Sequence, residues 1–458
     1  MKKYNYLLAG LMAAATFTAC SNEDVVENGQ KESVDGFYMT LSMVGGTQTR
    51  TAQNNESPAT LEESKITNGV LYLYDGATKV FQKNITEADW KTQPGENQPG
   101  TSKPIKVSVN NVTEDKEYTV YFLANTTADD PLTTTLTDYA GASVANQFVM
   151  FNQNDPTVDG SSYKVTFTAD NKSEANTAKV SAPIKVERVV ARIDAPKAEP
   201  TTITVKEGVT GEEKAAAEDA KAKIQSITYQ GYALANLAKK SNLEQKWNGD
   251  VLQMPASMTY DKAYSTYGTA TAIGAGLTFD TTAQNYLFEN TTATVKDATT
   301  MYFKYKVVLN SPSTELTDGT FYRYDGVIYS NLADVIKSVD TNPFGKTAEE
   351  LLAMLDKDGD KTLDATEDEI SAFRAAYQIE VYERGEVYYR QPVQDQFYTT
   401  QYSILRNSIY QLTVKNIFNL GFDVPNGEED DKKPNYYMQV QVQVNPWVLN
   451  AYDVNLGE

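Results

Sequence analysis

One cysteine, Cys20, occurs in the 458-residue chain, and it closes an N-terminal leader. No disulfide can therefore staple the remaining residues, which must hold together by cores large enough to bury their own surface. The leader has Lys2-Lys3, an apolar run from Tyr4 to Ala19, and the small-residue end Phe17-Thr18-Ala19-Cys20. That is the layout of an export signal, too short for a stable membrane span and followed at once by polar residues. About 430 residues remain, room for two or three domains.

The chain has 41 basic and 61 acidic residues, a net charge of −20, and no basic tract. Nucleic acid is therefore not an expected partner. Histidine is absent. That removes Ser-His-Asp and Cys-His catalysis, His-ligated zinc and most general-base schemes near neutral pH. A glycosidase needs only two carboxylates, but no pair stands out among so many acids. Neither a phosphate-binding glycine loop nor a nucleophile elbow is present. The chain is read as not an enzyme. Thirty tyrosines, with frequent Thr and Val, favour strands, and Asn, Asp and Gly between the apolar runs supply turns.

Residues 21–35 are polar and acidic and read as a tether. Gly36 to Val44 reads as a strand, with Phe37, Met39, Leu41 and Met43 on one face and Tyr38, Thr40 and Ser42 opposite. A small, polar stretch comes next around Arg50, the only basic residue between Lys31 and Lys65, and continues as an open loop through Ser57 and Pro58. Exposed loop tips are where nicking concentrates, so a trypsin-like protease has one choice here, Arg50-Thr51. The plain alternative is a surface arginine in a turn. Ile66 to Asp75 is apolar on both faces and should lie centrally in a sheet. Further strands are expected at 105–109, 118–124, 147–151, 163–168 and 182–193.

Pro196 and Pro200 follow the last of these, and the domain boundary is placed near residue 190. Beyond it, strands are expected at 223–232, 300–309, 320–329, 378–382, 387–392, 408–416 and 436–444, with a helix from Thr210 to Ala222. Tyr437 to Val444 alternates strictly, and Pro446 is expected to end that ladder. After it, Val448, Leu449, Tyr452, Val454 and Leu456 offer apolar side chains.

Asp356 to Glu367 matches the EF-hand calcium loop, with acids at positions 1, 3, 5, 9 and 12 (Asp356, Asp358, Asp360, Asp364, Glu367) and the Thr362 carbonyl at position 7. Helices are expected on either side, over 346–355 and 367–377. Lys361 stands where the sixth position is usually glycine, and Glu369 competes with Glu367 for the last ligand place. The expected role is a structural calcium site; the alternative is a solvated acidic hairpin.

Several separated motifs carry a resemblance. They are Phe122-Leu123-Ala124-Asn125, the segment Ile184 to Ile193, Leu234-Ala235-Asn236 with the residues to Leu243, Gly385-Glu386-Val387-Tyr388-Tyr389, Leu405-Arg406-Asn407-Ser408-Ile409-Tyr410 and Val444-Asn445-Pro446-Trp447. In this order, behind a leader whose Cys20 resembles a bacterial lipobox, they look like the major fimbrial subunits (fimbrilins) of Bacteroidia. The likeness runs from about residue 36 to the end of the chain. Val387 departs from it, where many relatives carry cysteine. The acidic Ser21-Asn22-Glu23-Asp24 resembles the tag that sends lipoproteins of that class to the cell surface. An ordinary secretory signal remains the alternative for Cys20.

The resemblance implies an all-β fold of two tandem β-sandwich (transthyretin-like) domains with short helical inserts. In this chain they would follow a signal peptide at 1–20 and a propeptide at 21–50, spanning 51–190 and 191–458, with an insert at 346–377 and a tail at 436–458. It further implies a precursor lipidated at Cys20 and held by that lipid at the outer membrane. An Arg-specific protease would cut Arg50-Thr51 and remove the first strand. Another copy would then fill the groove head-to-tail with a donated terminal strand, here Val448, Leu449, Tyr452, Val454 and Leu456, alongside anchor and tip subunits of the fimbria. The competing expectation is a tip or accessory adhesin that binds a glycan or host protein through its tyrosines. A free alternating tail would favour the polymer, and a tail folded back into its own domain the tip. A lipid-tethered carboxylate glycosidase is the third reading.

Overall fold

A computed structural model of the chain describes residues 36–41, 43–45, 57–58, 66, 68–86, 89, 105–126, 148–153, 163–198, 202–256, 258–261, 277–396, 398, 401–425 and 437–448. The chain enters it as β1 (Phe37–Leu41) and β2 (Met43–Gly45). A hairpin comes next, β3 (Gly69–Asp75) and β4 (Thr78–Ile85), turned at Gly76 with φ +59°. Then come β5 (Ile105–Val109), β6 (Glu117–Ala124), β7 (Met150–Asn152), β8 (Lys164–Thr166), β9 (Ala178–Lys179) and β10 (Ile184–Arg188).

The largest sheet runs β2-β10-β7-β6-β3-β4, with β8 also on β6. Its interior strand β3 is buried from Gly69 to Tyr74, so both of its faces are covered, as its apolar sequence predicts. β4 is among the strands that the sequence reading missed, as are β9 and a later strand at Asn285–Phe288. Only Phe81 and Ile85 of the eight residues of β4 are buried, so it lacks the period-two signal of a half-buried strand. A second sheet, β9-β1-β5, faces the same core.

Strand β10 passes through buried Val189 into β11 (Val190–Ile193), and the buried apolar residues regroup there. One cluster reaches from Phe37 to Val190, joined by Leu243 and Ile409; a second begins at Ala191. The second is built on α1 (Gly211–Lys223), β12 (Ile224–Ala235), β13 (Asn285–Phe288) and β14 (Thr300–Leu309). The stretch expected as one strand at 320–329 is a hairpin instead, β15 (Phe321–Tyr324) and β16 (Val327–Tyr329). Asp325-Gly326 makes its turn with φ of 49° and 76°, the two positive angles a tight two-residue hairpin requires.

Three short helices come after it: α2 (Leu332–Lys337), α3 (Ala348–Leu352) and α4 (Glu367–Tyr377). They carry their own core around Leu351, Leu355, Ile370 and Phe373. The chain closes through β17 (Glu380–Tyr382), β18 (Glu386–Pro392), β19 (Ser408–Ile417) and β20 (Met438–Val448). β12-β14-β18 form one sheet; β13-β11-β19-β20 form another, whose last member is the two-residue strand Ser57–Pro58. The fold is all-β, with four short helices among the described residues.

Candidate functional site

Alternation sets the first strand. Phe37, Met39 and Leu41 are buried, the latter two completely, while Tyr38 and Thr40 are half-buried. The face expected from the sequence is thus the face that enters the core. Fully burying three such side chains is worth about 1.5–3 kcal/mol each. Phe37 also packs its ring 5.4 Å from that of Phe167.

The backbone is held on both sides. β1 runs antiparallel to β5, from Phe37 opposite Val109 to Leu41 opposite Ile105. On its other side it runs parallel to β9, with Met39 opposite Ala178. β2 belongs to the other sheet and runs parallel to β10, with Met43 opposite Ile184 and Gly45 opposite Val186. Residues 37–45 therefore complete two sheets at once. Taking them out would leave β5, β9 and β10 without a neighbour along that line and open an apolar slot.

Cys20, Arg50 and Thr51 lie outside the described residues, as do Leu449, Tyr452, Val454 and Leu456. Val448 is the last residue of β20. The alternating segment before it is no free tail. It pairs with β19 from Met438 opposite Ile417 to Pro446 opposite Ser408, with Val440 and Val442 packed on the second core and Gln439, Gln441 and Gln443 exposed. Pro446 does not end the ladder as expected. It sits near the sheet margin, where a missing N–H is tolerated. Ser57 and Pro58, expected in an open loop, instead run parallel to Trp447 and Val448.

The acidic loop is partly gathered. Oxygens of Asp356, Asp358 and Asp364 lie within 4.8 Å of one another, and Asp356 is buried. Its carboxylate accepts from the amides of Gly359 and Lys361 at 2.8 and 3.1 Å. Lys361 takes the left-handed turn itself, with φ 69°, where a glycine was expected. Asp360 faces Thr362, accepting from its amide and hydroxyl at 2.8 and 2.7 Å. Glu367 opens α4. Glu369, the competing last ligand, is committed elsewhere: it caps Thr366 and pairs with Lys357. The Lys357 ammonium and the Thr366 amide hold its carboxyl down at about 2. The structure thus brings together three of the five expected acidic ligands.

The resemblance motifs turn out to be backbone and junction positions. Asn125, Asn236 and Asn407 all adopt left-handed φ, at 57°, 54° and 55°, a conformation asparagine tolerates better than most residues. Gly385, with φ +79°, lies so close to the Val307 carbonyl that a Cβ there would approach it to 2.5 Å. Arg406 and Glu187, from motifs far apart in sequence, meet in the interior, 3.9 Å apart.

The sequence model of a family described as major fimbrial subunit protein (FimA) matches residues 37–188, from β1 to the end of β10. A second, described as major fimbrial subunit protein type IV, fimbrillin, C-terminal, matches residues 380–453, from β17 through β20. The chain resembles the major fimbrial subunits. Among solved structures, a Parabacteroides distasonis protein assigned to cell adhesion is 14% identical, covering 90% of this chain and 97% of its own, with a TM-score of 0.45. Another from the same organism, also assigned to cell adhesion, is 11% identical over 90% and 100%, with a TM-score of 0.45. A fimbrial assembly protein of that organism is 11% identical over 89% and 99%, with a TM-score of 0.36. No curated protein matches the chain. No helix among the described residues is long and apolar enough to cross a membrane.

Proposed function

We propose that the protein is a structural subunit of a cell-surface fimbria that polymerises by strand exchange after its first strand is cut away. The two fimbrial family matches support the coarser part, a structural and adhesive role at the surface. The observation that carries the finer part is the double pairing of residues 37–45. A first strand that completes two sheets, with Met39 and Leu41 fully buried, leaves on departure a slot that only another strand can fill. The fit of such a strand from a second copy is heterologous and does not close, so it builds a filament.

In this reading Cys20 carries a lipid that holds the precursor at the outer membrane. An Arg-specific protease cuts Arg50-Thr51. Val448 and the residues after it, including Leu449, Tyr452, Val454 and Leu456, enter the slot of the next copy, and anchor and tip subunits end the fibre. The acidic loop takes a structural Ca2+ through Asp356, Asp358 and Asp364, with Asp360, Glu367 and the Thr362 carbonyl completing the set. One observation favours the alternative of a tip adhesin that binds a glycan or host protein: β20 folds back into its own sheet.

Limited trypsin treatment of the purified precursor, read by mass spectrometry and native gels, tests the proposal. An early cut at Arg50-Thr51 followed by ladders of oligomers is expected. A precursor that resists the cut, or is cut there and stays monomeric, rules out the polymerising subunit.

A further inference from the structure

β20 is an unusual strand to leave near a sheet margin. Its eleven residues, Met438–Val448, include no charge, and its exposed positions up to Gln443 are neutral glutamines. Proteins ordinarily guard such a strand with lysine, an inward charge or a covering segment, because its outer row of N–H and C=O groups templates pairing with another chain. Among the described residues the only strand on the outer side of β20 is Ser57–Pro58. It lies parallel to the last two residues of β20, with Ser57 opposite Trp447 and Pro58 opposite Val448. Pro58 has no N–H and cannot extend that ladder.

We infer that Ser57–Pro58 is an autoinhibitory clasp that holds the C-terminal end of β20 in the precursor and lets go when the chain is cut upstream. This inference rests on the strand-exchange function proposed for residues 37–45. The position of the clasp in the chain supplies the coupling. In the precursor it is tied on both sides: upstream to β2, which is paired along β10, and downstream to Ile66, which is fully buried. Two anchors keep a two-residue pairing at high local concentration although it is weak by itself. A cut at Arg50-Thr51, with loss of residues 37–45, removes the upstream anchor. The same event would open the slot in one copy and free the donating end of β20, so that neither half of the joint exists before the cut.

Two measurements on the full chain test this. The first is amide hydrogen exchange of the peptide spanning Trp447 and Val448, before and after cleavage. Protection in the precursor and exchange faster by on the order of tenfold or more after the cut is expected; equal protection in both states overturns the clasp. The second uses Pro58→Cys with Val448→Cys, in a Cys20→Ser background so that no other thiol competes. Directly opposed Cα positions suit a disulfide. The oxidised, cut protein should stay monomeric and should assemble once reductant is added. Assembly of the oxidised form at the rate of the unlocked one overturns the proposal. If the unlocked cut protein fails to assemble, strand exchange itself is refuted, and the exchange measurement alone then decides whether the cut releases the clasp.

Discussion

Arg406 has no exposed surface, and neither do Glu187 and Glu289 beside it. Its guanidinium meets Glu289 at 2.6 and 3.1 Å, donates to the Leu243 carbonyl at 2.7 Å and the Ser241 hydroxyl at 2.9 Å, and also reaches the Asn242 carbonyl. Burial alone would push its pKa down, but the Glu289 and Glu187 carboxylates outweigh that and hold it above the ordinary value. Ser241 and Gln245 also donate to Glu289, at 3.1 and 2.8 Å. The cluster ties β10, the loop before β13 and the turn before β19, so it sits where the two main cores meet. Arg406→Met would strand Glu289 in the interior, and removing one partner of a buried pair costs about 3–5 kcal/mol. Denaturant unfolding should show that loss, and Arg406→Met with Glu289→Leu should recover part of it. A single variant as stable as the parent would mean that the cluster is not what joins the cores. In the sequence, Arg406 was visible only as part of a resemblance motif. Nothing local announces a buried arginine, because its partners lie more than a hundred residues away and only the fold assembles them. Asn125 and Asn236 were more legible, since each follows an apolar strand as a residue suited to left-handed φ.

At the scale of elements, α4 and the loop before it carry the pH and metal predictions. Thr366 opens α4 with a capping box: its hydroxyl accepts from the Glu369 amide, and the Glu369 carboxylate accepts from the Thr366 amide. Because Glu369 titrates at about 2 in the fold and near 4.3 when unfolded, its contribution is complete above the unfolded value and is lost as pH falls towards 2. Glu369→Gln should therefore lower the thermal midpoint at pH 6, and the gap from the parent should close between about pH 5 and 2. A gap that holds constant with pH would assign the effect to packing rather than charge. Calcium acts on the same loop. If Asp356, Asp358 and Asp364 hold the ion, saturating Ca2+ at a hundredfold over its dissociation constant should add about 2.7 kcal/mol, visible as a raised midpoint. Asp358→Asn should abolish the rise, and Mg2+ should not replace it. No rise in the parent leaves the loop a solvated acidic hairpin. The sequence showed α4 and the loop spacing well, since both are local patterns. It overextended α3, which ends at Leu352 with a turn through Leu355, and it missed α2, six residues with too few turns to display a period. The clasp strand was out of reach, because two residues have no periodicity at all.

For the whole molecule, the question is what residues 37–45 do for stability as well as for assembly. They hold two sheets together along one line, so the intact chain is closed there and a chain cut free of them would be incomplete. Losing Met39 alone to alanine should cost about 2–5 kcal/mol, because its side chain is fully buried and the cavity cannot be filled by solvent at no cost. Losing the whole strand removes three such side chains and two ladders. The cut protein should thus expose apolar surface and bind a reporter dye until a strand enters. A synthetic peptide of residues 36–45, added in excess at the time of cleavage, should refill the slot, suppress dye binding and stop oligomer ladders on native gels. The same peptide with Met39→Asp should do none of these, because it would bury an unpaired carboxylate where Met39 has no exposed surface. The comparison separates slot filling from general crowding, since the two peptides differ by one side chain. If both peptides block assembly, or neither does, the slot left by residues 37–45 is not the surface through which copies join. If only the parent peptide blocks it, the face defined by Phe37, Met39 and Leu41 sets what an incoming strand must present, namely apolar side chains at alternate positions.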